Sequence, residues 1–279
     1  MRVHPIVLMV SMGLCALGCS DDPATPASDA GTAADSGTTA DTGAPADGGG
    51  GPWGCLGRVS PVVPGGSMVT IALHAVGFGA SAPMVGVTVK ACARTDTLCA
   101  MPHSMGVTDA MGNATLTGPV GPQGFDGYIE LTGGTGPNEV VPTKMYPNPA
   151  LTAGMRPVNA RVIERETFML LGAVLRAELN DTNGLITAAV SDCNRDPAAG
   201  ATLSASPMPM GVRQFYTANN LPSLTATQTG PSGTGGFVGV PPGDYTLTAT
   251  RVDGMARIGA ASVNVRGGYI TSINVGPSP

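Results

Sequence analysis

Pro241-Pro242-Gly243-Asp244-Tyr245-Thr246-Leu247-Thr248-Ala249-Thr250 decides the fold class. Pro-Pro-Gly is a turn, since proline presets φ and glycine supplies dihedrals that other residues avoid. Beyond it the residues alternate: Tyr245, Leu247 and Ala249 share one face, and Thr246, Thr248 and Thr250 the other. A period of two in aromatic and β-branched residues makes a half-buried strand, with its threonines toward water. The same grammar continues on both sides, in Leu185 to Cys193, Ala201 to Ser206, Gly236 to Val240, Arg257 to Val265 and Tyr269 to Val275. Gly and Pro turns separate these short runs, as in a sandwich.

Upstream, the candidate strands are Met68 to Val76, Val85 to Cys92, Asn113 to Gly118, Asp126 to Thr132 and Glu139 to Tyr146. In Val85-Gly86-Val87-Thr88-Val89-Lys90-Ala91 the valines fall on one face and Lys90 on the other. One segment breaks the pattern. Thr167 is placed to cap a helix over Phe168 to Leu179, in which Phe168, Leu171 and Val174 or Leu175 recur at helical spacing before Asn180 and Gly184 end it. That apolar run is too short to span a bilayer. The chain thus divides into a first β-sandwich over 53–150, a linker with a short helix over 151–183, and a second β-sandwich over 184–279.

The halves repeat an order of parts. Gly86-Val87-Thr88-Val89 precedes Thr108-Asp109-Ala110-Met111-Gly112-Asn113-Ala114, a Pro/Gly turn and Tyr128-Ile129-Glu130-Leu131. Gly200-Ala201-Thr202-Leu203 precedes Thr227-Gln228-Thr229-Gly230, Gly236-Phe237-Val238 and Pro242-Gly243-Asp244-Tyr245-Thr246-Leu247. Each half resembles the carboxypeptidase regulatory-like, or transthyretin-like, sandwich on these short motifs, the second half more completely. The resemblance implies an all-β chain of two tandem Ig-like sandwiches joined by a short helix. It also implies accessory modules of secreted or surface proteins without catalytic residues of their own; fold analogy gives no ligand.

The N-terminus carries the one specific chemistry. Arg2 supplies a positive charge, Ile6 to Leu17 an apolar run, and Ala16-Leu17-Gly18-Cys19 resembles a bacterial lipobox, with Ala16 and Leu17 in exchanged order. Residues 1–18 read as a lipoprotein signal peptide and Cys19 as the lipidation site. Residues 19–52 read as a disordered Asp/Gly/Ala-rich stalk: from Ser20 to Pro52 there is no Lys or Arg, and Asp29, Asp35, Asp41 and Asp47 recur every six residues. These aspartates are too widely spaced for a calcium loop. As a coil the stalk spans on the order of 30 Å. Ser20 after the lipid site favours the outer membrane, tempered by Asp21 beside it.

Four cysteines remain after Cys15 and Cys19, and an exported chain favours their pairing. Three connectivities are open. Cys92 with Cys99 is favoured, because Cys92 ends a strand and six residues suffice to turn back. Cys55 and Cys193 are then the other pair, or free thiols. A zinc site is disfavoured: Cys-x-x-Cys is absent, and His74 and His103 stand at no zinc spacing from a cysteine.

Six of the 19 acids lie in the stalk and Arg2 is one of the 14 bases, which leaves residues 53 to 279 formally neutral. Nothing there calls for nucleic acid as a partner. His-Glu-x-x-His and Gly-x-Ser-x-Gly are absent, and the two-Tyr, two-His iron set of intradiol dioxygenases lacks its paired histidines. His74 reads as a solvent-facing strand residue and His103 as a loop residue. No cofactor or metal is expected, and the chain reads as a non-enzyme. Lys90, Glu130 and Asn148 invite one sharper reading, an amide cross-link like that of Gram-positive adhesin sandwiches; Lys90 and Glu130 as surface residues is the preferred one. The expected function is a lipid-anchored envelope protein that displays two structural or interaction modules, its partners being the membrane through the lipid and a protein or glycan of the envelope. The alternative is a carbohydrate- or peptide-binding protein using the loop around Phe215, Tyr216 and Asn219-Asn220.

Overall fold

The computed structural model describes residues 51–79, 81–134, 139–219 and 221–278, all within one compact unit. The first repeat consists of β1 (Met68–Gly77), β2 (Val87–Ala93), β3 (Ser104–Val107), β4 (Asn113–Pro119), β5 (Gly127–Gly133), β6 (Thr143–Tyr146) and β7 (Gly154–Val162). Strand β1 pairs antiparallel with β4 and parallel with β7, while β3, β2, β5 and β6 form the facing layer. β1 shows why: its residues alternate between buried Val69, Ile71, Leu73 and Ala75 and partly exposed Thr70, Ala72 and His74.

After α1 (Arg165–Leu175), the second repeat consists of β8 (Gly184–Val190), β9 (Ala201–Ser206), β10 (Arg213–Ala218), β11 (Leu221–Ser223), β12 (Thr234–Val240), β13 (Gly243–Arg251), β14 (Arg257–Val265) and β15 (Ile270–Val275). The pairing plan recurs. β8 pairs antiparallel with β12 and parallel with β15, as β1 does with β4 and β7, and β9-β13-β14 repeats β2-β5-β6.

The two sandwiches are joined by pairing as well as by the chain. Strand β6 runs parallel to β15, from Thr143 opposite Ile270 to Tyr146 opposite Ile273. The result is a single nine-stranded sheet, β11-β10-β12-β8-β15-β6-β5-β2-β3, made of one layer from each repeat. Alternation then assigns its faces. Val87, Val89, Ala91, Ile129 and Leu131 meet β1 and β7 on one face, while Tyr128, Tyr146, Ile186 and Phe237 point to the other and meet β9, β13 and β14. Helix α1 lies on the first face, with Phe168 and Leu175 against Val141, Leu185, Phe215, Val238 and Ile270.

A latch is built twice. The Thr108 hydroxyl accepts from Val87 N at 2.9 Å and donates to Met84 O at 2.6 Å; the Thr229 hydroxyl accepts from Ala201 N at 2.9 Å and donates to Ala198 O at 2.7 Å. Both threonines are buried. Four residues beyond each stands a glycine of positive φ, Gly112 and Gly233, where a Cβ would come within 2.4 Å of the carbonyls of Ala75 and Val190. Only glycine fits so close an approach. The repeat seen in the sequence is therefore a repeat of hydrogen bonds.

Several boundaries differ from the sequence reading. Residues 154–162, read as linker, are β7, an edge strand whose Pro157 is tolerated because an edge leaves one side unpaired. The helix starts three residues before Thr167 would have it, with Glu164 at its N-cap and no side-chain capping bond. It stops at Arg176, whose left-handed backbone (φ 48°) closes a bond from Ala177 N to Gly172 O, so the run to Leu179 is not helical. Strands β3, β10 and β11 were not anticipated.

Candidate functional site

Cys19, the expected lipidation site, lies outside the described residues, as does the stalk up to residue 50. The first described residues are pinned to the body. Cys193 N donates to Pro52 O at 2.9 Å, Trp53 packs against the second repeat's core with the Arg251 guanidinium 5.3 Å above its ring, and Cys55 is disulfide-bonded to Cys193. Residues 52–55 are thus fastened to the second repeat, although the first repeat follows them in sequence. Beside this bond lies a cleft of about 290 Å³ lined by Cys55, Asn148, Ser191, Asp192, Arg195 and Asn274.

Cys92 and Cys99 form the second disulfide, 7 residues apart, and both are buried. The loop between them is ordered by Asp96, whose carboxylate accepts from Ala100 N at 3.0 Å and Met101 N at 2.8 Å; these bonds hold its pKa below the ordinary carboxylate value. The same loop closes over β5 and β6: Tyr128 donates its hydroxyl to Asp96 O at 2.6 Å, and Lys144 Nζ donates to Thr97 O at 2.8 Å.

Underneath runs a row of charge. Register places Lys90, Glu130 and Lys144 side by side on β2, β5 and β6. Glu130, expected at the surface, is 2 % exposed; its Oε2 is 3.3 Å from Lys90 Nζ and its Oε1 3.6 Å from Arg266 Nη1. The cause is the second repeat, which covers a face that would be solvent in an isolated sandwich. Asn148 is not brought to Lys90: its amide donates to Asn274 O at 2.8 Å. Lys144 was missed altogether. It is fully buried, with Nζ 3.0 Å from Asn264 Oδ1 on β14 and 4.7 Å from the centre of the Tyr128 ring. Burial, then repulsion from Arg266, lowers its pKa to about 8 despite the attraction of Glu130. Burial likewise raises the phenols of Tyr128 and Tyr146. The sequence signal for Lys144 was its alternation with Tyr146, which puts both on one face.

The other candidates resolve plainly. His74 Nδ1 lies 3.0 Å from Asn113 Oδ1 on the outer side of β1, and His103 meets Phe125 edge to face. Phe215 and Tyr216, offered for ligand contact, are buried instead; they sit on β10 and point to opposite faces of the long sheet, and the Tyr216 hydroxyl accepts from Leu203 N. Asn220 lies outside the described residues. Among the described residues no three His, Cys, Asp or Glu side chains converge for a metal, and no helix is long and apolar enough to cross a membrane.

No protein-family model matches the chain, and no curated relative matches it. Among solved structures it is similar to shaft pilin SpaA from Lactobacillus rhamnosus GG, at 16 % identity over 76 % of this chain and 98 % of that one, with a TM-score of 0.25. It is similar also to GBS52, the minor pilin of Streptococcus agalactiae, at 14 % identity over 77 % and 98 %, with a TM-score of 0.23. A third is the Bacillus anthracis TIE protein, at 12 % identity and a TM-score of 0.24; 76 % of this chain matches only 34 % of that one.

Proposed function

We propose that the chain is an exported, non-catalytic envelope protein, lipidated on Cys19, whose stalk displays a body of two fused β-sandwiches. The observation that carries this reading is the Cys55–Cys193 disulfide at the foot of the stalk. A disulfide persists in an oxidising compartment, which fits an exported chain. Its position fits a display role: tension along the stalk reaches Cys55 and passes into the second repeat before it can peel residues 56–67 from the body. The neutral body and acidic stalk support a solvated tether rather than adhesion by charge.

Metabolic labelling with a radioactive fatty acid tests the anchor. Label is expected in the whole chain and is expected to vanish in Cys19→Ala; label that persists in that variant, or is absent from the unmutated chain, would refute lipidation. Membrane fractionation of the labelled chain then tests the outer-membrane placement favoured by Ser20. A ligand role for the body, to glycan or peptide, is read from glycan and peptide arrays, on which the structural reading expects silence.

A further inference from the structure

We propose that Lys144 and Asn264 condense into an intramolecular amide that staples the first repeat to the second. The two residues are 120 apart in sequence and belong to different repeats, Lys144 to β6 and Asn264 to β14. Lys144 Nζ rests 3.0 Å from Oδ1, one bond from the carbon it would attack. The leaving nitrogen is held as well, since Asn264 Nδ2 donates to Asp244 Oδ1 at 2.8 Å. All of the lysine is out of water, boxed by Thr97 O, the Tyr128 ring and the half-buried Asn264, which holds nucleophile and amide together at the seam. Such confinement supplies effective concentrations that no bimolecular aminolysis reaches.

The chemistry balances without an oxidant or a co-reactant. The neutral amine of Lys144 attacks Cγ of Asn264, the Nζ–Cγ bond forms, the Cγ–Nδ2 bond breaks, and ammonia leaves. The proton shed by Nζ ends on the departing nitrogen, relayed by the Asp244 carboxyl already hydrogen-bonded there. Burial keeps on the order of a tenth of the lysine neutral near pH 7, against less than a thousandth for a solvated one. Condensation also removes a charge from a site where an ammonium is poorly solvated, which favours the amide over the starting pair. Glu130, directly across from Lys144 on β5, keeps one oxygen without a hydrogen-bond partner among the described residues and helps hold the site polar.

Peptide mapping of the folded full chain after reduction and trypsin digestion decides the matter. A free Lys144 is cut, giving residues 95–144 and 145–161 separately from 258–266. The amide blocks that cut and yields 95–161 joined to 258–266, one ammonia lighter than the sum of its parts. The joined species is expected as the main form in the unmutated chain and is expected to be lost in Asn264→Ala and in Lys144→Arg, which keeps the charge but cannot condense. Quantitative recovery of the separate peptides from folded protein would overturn the proposal, as would a joined species that survives Asn264→Ala. The mapping of the unmutated chain stands whether or not either variant folds.

Discussion

The apolar interior of the first repeat is drawn entirely from residues between Val69 and Val162, whereas that of the second also takes Cys92, Cys99, Tyr128 and Tyr146 from the first. The two repeats share a strand plan and a threonine latch, yet only one of them closes its own core. Pairing of β6 with β15 turns a layer that an isolated sandwich would expose into part of the neighbour's interior. A unit that is duplicated in sequence has in this way become dependent in structure, and the dependence runs in one direction.

Separating the repeats should break the comparison most visibly. Residues 53–183 made alone are expected to keep a cooperative melt, because the first core is complete within them. Residues 184–279 made alone are expected to show none, having lost two aromatic side chains and a disulfide from their interior. A cooperative melt of 184–279 close to that of the whole chain would show that the borrowed residues are dispensable.

Next in size is the fastening of Cys55 to the second repeat. Cys55→Ser with Cys193→Ser opens a 138-residue separation, and chain entropy assigns on the order of 5 kcal/mol to that closure. The loss is read by urea titration of the oxidised double variant. Cys92→Ser with Cys99→Ser releases a loop of only 7 and should cost about 2.5 kcal/mol by the same rule. The comparison sharpens here, since both sulfurs lie in the second repeat's core: hydrogen exchange should quicken in β13 and β14 as well as in β2, and protection unchanged in the second repeat would contradict the shared interior.

Smallest is the pH response of a chain whose Lys144 is left free, such as Asn264→Ala. A lysine whose pKa falls from 10.5 unfolded to about 8 folded is charged in both states below pH 8, where the fold bears the whole desolvation cost. Between pH 8 and 10 the unfolded chain binds more protons, so stability should climb, on the order of 2 kcal/mol over that window. Above pH 10 it should fall again, because burial raises the phenols of Tyr128 and Tyr146 and the unfolded chain ionises them first. The condensed chain lacks this amine and should show no such climb from pH 8 to 10.

Much of this was legible in the sequence where the pattern was local. Alternation marked β1, β9, β13 and β14 nearly to the residue, and the order of short motifs in each half marked the repeat, because those features need only neighbours along the chain. What escaped depended on partners far away. β7 carries Pro157 and a mostly exposed face, and its place is set by parallel pairing with β1, which leaves no turn to read. β10 mixes Arg213 and Gln214 with two aromatics and looked like a ligand loop until both rings were covered from opposite faces. The same blindness misjudged the site: Glu130 looked outward and Lys144 unremarkable because nothing in either strand announces that a second repeat lies over them.

Differential scanning calorimetry of the whole oxidised chain tests the fusion of the two sandwiches most directly. A shared nine-stranded sheet predicts one transition with calorimetric and van't Hoff enthalpies in agreement. Two resolved transitions, each with the enthalpy of about half the chain, would mean that the repeats unfold independently and that the seam does not bind them into one body.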